Sequence, residues 1–305
     1  MTTKHHIGFL GLGQMGGLIA ANLLRDDATL HIFDPSPAAR EPFVKAGAVA
    51  HGSPREVADA ADIVFACLPS PAVSKEVAFG ANGVAGAGRA RVYVELSTIG
   101  REAVQAIAAR LNEAGIAVLD APVSGASKSA RAGTLSIMAA GPRQALETAR
   151  PFFERIGKRI FAIDERPGLG QVMKLVNNLI SATAMASSYE ALVMGAKAGL
   201  DPDLMVEVIN ASTGRNSATL EKVPDAILPG TFDFGSALRI IAKDVDLGLA
   251  EAHSLGATMW VAETVGQLWR FAISQGAAED DYTTLIRFME KWAGVEVRSR
   301  KAQES

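Results

Sequence analysis

Residues 6–12, HIGFLGL, form an apolar run that passes directly into Gly11-Leu12-Gly13-Gln14-Met15-Gly16 and then into LIAANLLRD, which is apolar at helical spacing. A strand that turns within a few residues into a helix is the opening of a parallel βαβ unit, because parallel strands need a crossover between them. The three glycines have separate reasons to be there. The first permits the tight turn, the second lets backbone approach a ligand, and the third lets the helix pack close to the strand. The helix N-terminus then faces whatever lies beyond the turn, which suits the pyrophosphate of a dinucleotide. The bland alternative is a glycine turn with no ligand.

The α/β rhythm continues. A second strand over residues 30–33 ends at Asp34. An acid there can accept hydrogen bonds from adenosine ribose hydroxyls and would repel a 2′-phosphate. No basic residue follows until Arg40, so NAD is expected over NADP. The alternative for Asp34 is a helix cap or turn residue. A helix over 54–61 leads to a strand over 63–68 that ends in Leu68-Pro69-Ser70-Pro71. Another strand, 91–96, ends at Ser97-Thr98 before a helix over 101–114. Loops at strand ends are where a doubly wound sheet presents ligand groups, which singles out Thr98, although it could equally cap the following helix. A strand over 118–124 then breaks into small residues, Gly125-Ala126-Ser127. Ser124 and the amides around Gly125 could hold a carboxylate, or form a plain connection. A strand over 135–140, a helix over 143–156 and a strand over 158–164 complete this half.

Pro167-Gly168 breaks the chain, and residues 168–199 follow without a proline. Apolar residues lie all round this stretch, so one long, largely buried helix is expected. Lys174 stands near its start, with Asn178 and Ser181 on the same face. The positive end of the helix dipole and burial both disfavour a charged lysine and push its pKa toward the range useful for proton transfer. The alternative is a lysine whose stem packs while its head reaches water. Residues 201–212, 236–256, 258–275 and 281–293 are also helical in pattern. The chain is therefore expected to divide into an α/β domain, 1–164, and a helical domain, 165–305, with Lys174 at the cleft between them. Arg215 reads as a solvated loop residue. Lys243-Asp244 interrupts an apolar helix, where the two could reach a cofactor or join each other. The charged tail from residue 295 is expected to fray. The five histidines form no motif.

Composition narrows the classes. A length of 305 residues allows a core in each of two domains. A net charge of −3 argues against a broad basic field, hence against nucleic acid and anionic membrane as partners. The single cysteine, Cys67, rules out an internal disulfide, fits a reducing compartment, and lies in a run (IVFACLP) that marks it as core. The N-terminus lacks the pattern of a secretory signal, and no uninterrupted apolar run reaches about 18 residues. A cytoplasmic protein without a resident metal is the expectation.

Four blocks carry a resemblance: GLGQMG at 11–16, DAPVSGASKSARAGTL at 120–135, GLGQVMKLVNN at 168–178 and KDVDLGLA at 243–250. Together they resemble the β-hydroxyacid dehydrogenases, the family of 3-hydroxyisobutyrate dehydrogenase and tartronate semialdehyde reductase. The resemblance implies a Rossmann-type doubly wound sheet and a helical domain joined by a long interdomain helix. It implies Lys174 as the catalytic acid/base, with Asn178, Ser124, Gly125 and Ala126 on a small carboxylate substrate. It implies Gly11, Leu12, Gly13, Gln14, Met15, Gly16, Asp34, Leu68, Pro69, Thr98 and Lys243 on the cofactor, and a homodimer or homotetramer. Ala126 and Ser129 depart from the family's glycine-rich substrate loop, and side chains there would narrow the site. Two alternatives stand: an NADPH-dependent semialdehyde or imine reductase, and a non-catalytic dinucleotide-binding regulator.

Overall fold

The structure, a computed structural model, describes residues 4–299. Two compact units part between Lys174 and Leu175. In the first, nine strands form one sheet: β1 (His5–Leu10), β2 (Ala28–Phe33), β3 (Val49–Ala50), β4 (Ile63–Ala66), β5 (Val92–Glu95), β6 (Ala117–Asp120), β7 (Val123–Ser124), β8 (Leu135–Ala140) and β9 (Gly157–Asp164). The order β3-β2-β1-β4-β5-β6 is parallel throughout. β8 runs antiparallel to β6 and β7 and carries β9 parallel beside it. Seven helices connect the strands: α1 (Gln14–Leu23), α2 (Pro37–Lys45), α3 (Pro54–Ala60), α4 (Pro71–Phe79), α5 (Arg101–Glu113), α6 (Ser127–Arg131) and α7 (Arg143–Ile156).

Alternate strand residues serve two cores, as burial on both faces requires. Ile7 and Phe9 join Ile19, Leu23 and Phe153 on one face of the sheet. Leu10, Val64 and Tyr93 join Val57, Val104 and Ile107 on the other. The expected doubly wound sheet is thus present, with some local differences. The strand expected over 118–124 is two strands, separated at Ala121-Pro122, because proline has no N–H to give the ladder. The small residues after it are not all loop. They hold α6, fastened where Asn22 of α1 donates to the Ala130 carbonyl at 2.8 Å.

α8 (Leu169–Lys197) begins in the first unit and continues through the second. The second unit adds α9 (Pro202–Asn210), a π-helix (Ala218–Ile227), α10 (Leu238–Ser254), α11 (Trp260–Ser274) and α12 (Leu285–Ala293). Its core surrounds Tyr189, Leu192, Trp269 and Ile286, all fully buried. α8 departs from the all-round burial expected of it. Val176, Ile180 and Met194 are 45, 68 and 71% exposed, an apolar stripe at helical spacing. The tail also differs where it is described. The Arg298 guanidinium pairs with the buried Glu290 carboxylate at 2.7 Å, and the Ser299 N–H donates to the Leu228 carbonyl. Residues 300–305 of that tail lie outside the described residues. Among the described residues, no helix is long and apolar enough to cross a membrane.

The start of α8 is fixed by a buried acid from the sheet. Asp120, at the end of β6, accepts from the Gly168 N–H at 2.7 Å on one carboxylate oxygen and from the Gln171 N–H at 2.8 Å on the other. These are donors that a helix cannot satisfy from within itself. Burial raises the Asp120 pKa to about 6, and the backbone N–H groups pull the other way. Replacing Asp120 by Ala leaves those buried donors without a partner. We expect Asp120→Ala to lower the unfolding free energy by about 2 to 4 kcal/mol, read from urea denaturation, with Asp120→Asn less damaging.

Candidate active site

The C-terminal ends of the parallel strands are level. Leu10 pairs with Phe33 on one side and Ala66 on the other, Ala66 pairs with Glu95, and Glu95 pairs with Asp120. The residues that follow each strand therefore gather along one edge of the sheet: the glycine turn after β1, Asp34 after β2, Cys67-Leu68-Pro69 after β4, and Ser97-Thr98 after β5. This is the edge where open α/β sheets bind ligands.

The glycine turn fits a dinucleotide by geometry. Gly11 has φ +90°, a left-handed conformation costly for other residues, and a Cβ there would meet the Cys67 carbonyl at 2.3 Å. A Cβ on Gly16 would lie 2.2 Å from the Gly11 carbonyl, so helix and turn pack as the motif requires. A Cβ on Gly13, at the N-cap of α1, would instead project into open space. That opening beside a helix N-terminus is a cradle for an anion. Gln14 and Met15 form the first turn beyond it.

Asp34 serves the turn as well as facing the edge. One carboxylate oxygen accepts from the Leu12 N–H at 2.7 Å, the other from the Ser36 N–H at 2.8 Å. Ser36, not Asp34, caps α2. The nearest downstream base, Arg40, donates to the His51 carbonyl. Thr98 does not occupy the N-cap of α5, which is Gly100. Leu68 is tied to the neighbouring loop, its N–H donating to Ser97 Oγ at 2.6 Å. Ser124, Gly125 and Ala126 form the junction of β7 and α6, and Gly125 has φ +138°.

Lys174 lies in the second turn of α8 and is 9% exposed. In the second unit, Asn178 Nδ2 donates to the Asp244 carboxylate at 2.7 Å, and the Lys243 ammonium stands 2.8 Å from the same carboxylate. Lys243 and Asp244 thus do join each other, with Asn178 completing the cluster.

Several supporting residues escaped the sequence reading. Gln171, fully buried, donates from Nε2 to the Ser97 carbonyl and accepts at Oε1 from the Ile99 and Gly100 N–H groups. It links the start of α8 to the loop carrying Thr98. Beneath that loop Glu95, also fully buried, accepts from the Ser97 N–H and the Tyr93 hydroxyl. Burial pushes the Glu95 pKa to about 7, against the pull of those bonds. Three of the histidines do form a pattern, a ladder from β1 through β2 to the residue after β3. His6 Nδ1 lies 3.0 Å from His31 Nε2, and His31 Nδ1 lies 3.0 Å from His51 Nε2. Burial and the two neighbouring rings bring the His31 pKa down to about 4. For Gln171 and the histidines, contact partners distant in the chain reveal these roles. The one sequence signal was a polar residue at a core position.

Residues 6–164 match the family described as the NAD binding domain of 6-phosphogluconate dehydrogenase. Residues 168–289 match the family described as NAD-binding of NADP-dependent 3-hydroxyisobutyrate dehydrogenase. Among curated proteins, 2-(hydroxymethyl)glutarate dehydrogenase of Eubacterium barkeri is 36% identical over 95% of this chain and 97% of its own length. The 2-hydroxy-3-oxopropionate reductase of Escherichia coli K12 is 35% identical over 94% of this chain and 98% of its own. Among solved structures, Mycobacterium tuberculosis 3-hydroxyisobutyrate dehydrogenase with L-serine superposes with a TM-score of 0.85 at 30% identity, covering 95% of this chain and 99% of that one.

The ionisation of Glu95 is open to a direct test. Its folded pKa, about 7, lies above its ordinary value of 4.5. The native carboxyl therefore keeps a proton that the unfolded chain loses, and its contribution to stability declines as pH rises between those two values. His31, shifted downward, contributes in the opposite sense, so the informative quantity is the difference between variant and wild type. We expect Glu95→Gln to be roughly 2 to 3 kcal/mol more stable than wild type at pH 8, the gap closing below about pH 5.

Proposed function

The chain belongs to the 3-hydroxyisobutyrate dehydrogenase family of β-hydroxyacid dehydrogenases, NAD(P)-dependent enzymes acting on the CH–OH group of short 3-hydroxy acids, and from that premise we propose that it is an NAD-dependent dehydrogenase with Lys174 as its general acid/base. The observation that carries the reading is Lys174 itself, a lysine 9% exposed near the beginning of α8. A cation is rarely buried without a task or a partner. Lys174 takes the hydroxyl proton as the carbinol carbon gives up hydride, and returns it in the reductive direction. It also stabilises the developing alkoxide. Ser124 and the backbone at Gly125 and Ala126 hold the substrate carboxylate, and Asn178, oriented by Asp244, holds the substrate beside the lysine.

Bound NAD supplies the hydride acceptor. Gly11 to Gly16 would hold its pyrophosphate, and Leu68, Pro69, Thr98 and Lys243 would be further contacts to it. Asp34 supports NAD over NADP because its carboxylate, held by two backbone N–H groups, repels a 2′-phosphate. The exposed stripe of Val176, Ile180 and Met194 supports a homodimer or homotetramer built on α8. A single cysteine fits work in the cytoplasm.

The test is NAD⁺ reduction at alkaline pH against a panel of 2- and 3-hydroxy acids. We expect activity on a 3-hydroxy acid, and a loss in kcat of at least about 100-fold in Lys174→Ala. Near wild-type turnover in a folded Lys174→Ala protein removes the lysine from the mechanism. We further expect Asp34→Ser to shrink the preference for NAD⁺ over NADP⁺ by at least about tenfold in kcat/KM. Equal use of both cofactors by the wild type overturns the NAD assignment.

A further inference from the structure

A second buried lysine has no part in the reaction above. Lys222 lies in the π-helix and is 8% exposed. π-helical turns are rare and recur at functional sites, because the wider turn redirects one side chain at the expense of helix geometry. Among the described residues, the Lys222 ammonium donates to the Ser217 carbonyl at 3.3 Å, stands 3.8 Å from the Glu221 carboxylate, and lies 5.6 Å from the centre of the Phe234 ring. The Glu221 side chain is 62% exposed and so is a screened, weak counter-charge. Burial accordingly depresses the Lys222 pKa, with Glu221 opposing. An ammonium has three donors. This one has the capacity, and the electrostatic need, for a stronger acceptor than the fold supplies.

Its neighbours point along α8. Ser217 Oγ lies 3.5 Å from Ser181 Oγ. Ser181 is on the same helical face as Asn178 and Lys174. Asn178 and Ser181 are separated by about 4.5 Å of helix rise, comparable to the reach of a two-carbon arm ending in a carboxylate. Ser217 thus meets Ser181 through its hydroxyl and the Lys222 ammonium through its backbone carbonyl.

We propose that Lys222, with the hydroxyls of Ser181 and Ser217, is a recognition subsite for a second carboxylate, so that the preferred substrate is a dicarboxylic 3-hydroxy acid. The subsite rests on the reading that substrate reacts at Lys174 beside Asn178. It supplies a cation for a distal carboxylate, and a bound carboxylate completes the solvation of Lys222.

Two probes share the reacting centre and the first carboxylate. 2-(Hydroxymethyl)glutarate carries a second carboxylate on a two-carbon arm where 3-hydroxyisobutyrate carries a methyl group. Wild type is expected to favour the dicarboxylate in kcat/KM by at least about tenfold. Lys222→Met, which keeps an apolar stem in the buried position, is expected to lower that preference at least about tenfold through KM, and Lys222→Arg to restore part of it. Thermal unfolding of each variant checks that it is folded. An unchanged preference in folded Lys222→Met overturns the subsite. So does a wild type that oxidises 3-hydroxyisobutyrate and rejects the dicarboxylate, and that result leaves the dehydrogenase reading standing. A wild type that oxidises neither probe also overturns the subsite, while the wider panel decides the dehydrogenase reading separately.

Discussion

Asp120 and Gln171 hold the beginning of α8 against the sheet edge, and the arrangement of the first unit depends on that hold. Each bond is local in its demand. The first N–H groups of a helix need acceptors, and the ends of parallel strands present loops that need fixing. Asp120 answers the first demand with both carboxylate oxygens. Gln171 answers the second, with three hydrogen bonds to residues 97–100. From there Ser97 passes the constraint to Leu68, and Glu95 supports Ser97 from below. Loops at the C-terminal edge of the sheet and the start of α8 are thereby parts of one buried hydrogen-bond network. Burying two carboxyls raises both their pKa values, the electrostatic cost of placing acceptors where water cannot supply donors.

The second unit uses the same device on a different scale. Asp244, 4% exposed, orients Asn178 and faces Lys243. In each unit a buried acid from one element positions a polar group on another. Lys222 is the exception, a buried cation whose nearest acid sits in solvent. That imbalance makes it unlike the structural ion pairs of the surface, such as Arg89 with Asp62, which close on themselves.

What could be read from the residues was local. The glycine turn was legible because Gly11 and Gly16 answer steric demands within one βα unit. Asp34 was legible because it ends a strand at the spacing that such units use. The buried lysine on the long helix was legible because a charge in an apolar helix stands out. The helix over 143–156 and the boundaries of α8 followed from proline, glycine and periodicity. The π-helix was not legible, since Pro224 and the polar residues before it carry no period that marks a wider turn. Nor was the apolar stripe on α8. Apolar residues all round a helix look the same whether the last face is covered by this chain or left open.

The sequence by itself therefore determined the parallel sheet, the glycine cradle, the acid at the end of β2 and the placement of Lys174 on a long helix. These depend on backbone conformation and on side chains a few residues apart. Only the tertiary structure decided which acid anchors that helix, which amide ties it to the loop after β5, and which histidines share hydrogen bonds. It also paired Asn178 with Asp244 and, among the described residues, left Lys222 without a buried counter-charge. Asp120 and Gly168 are 48 residues apart, and Asn178 and Asp244 are 66. Contacts of that kind depend on which elements pack together, and a single sequence carries no local period that encodes them.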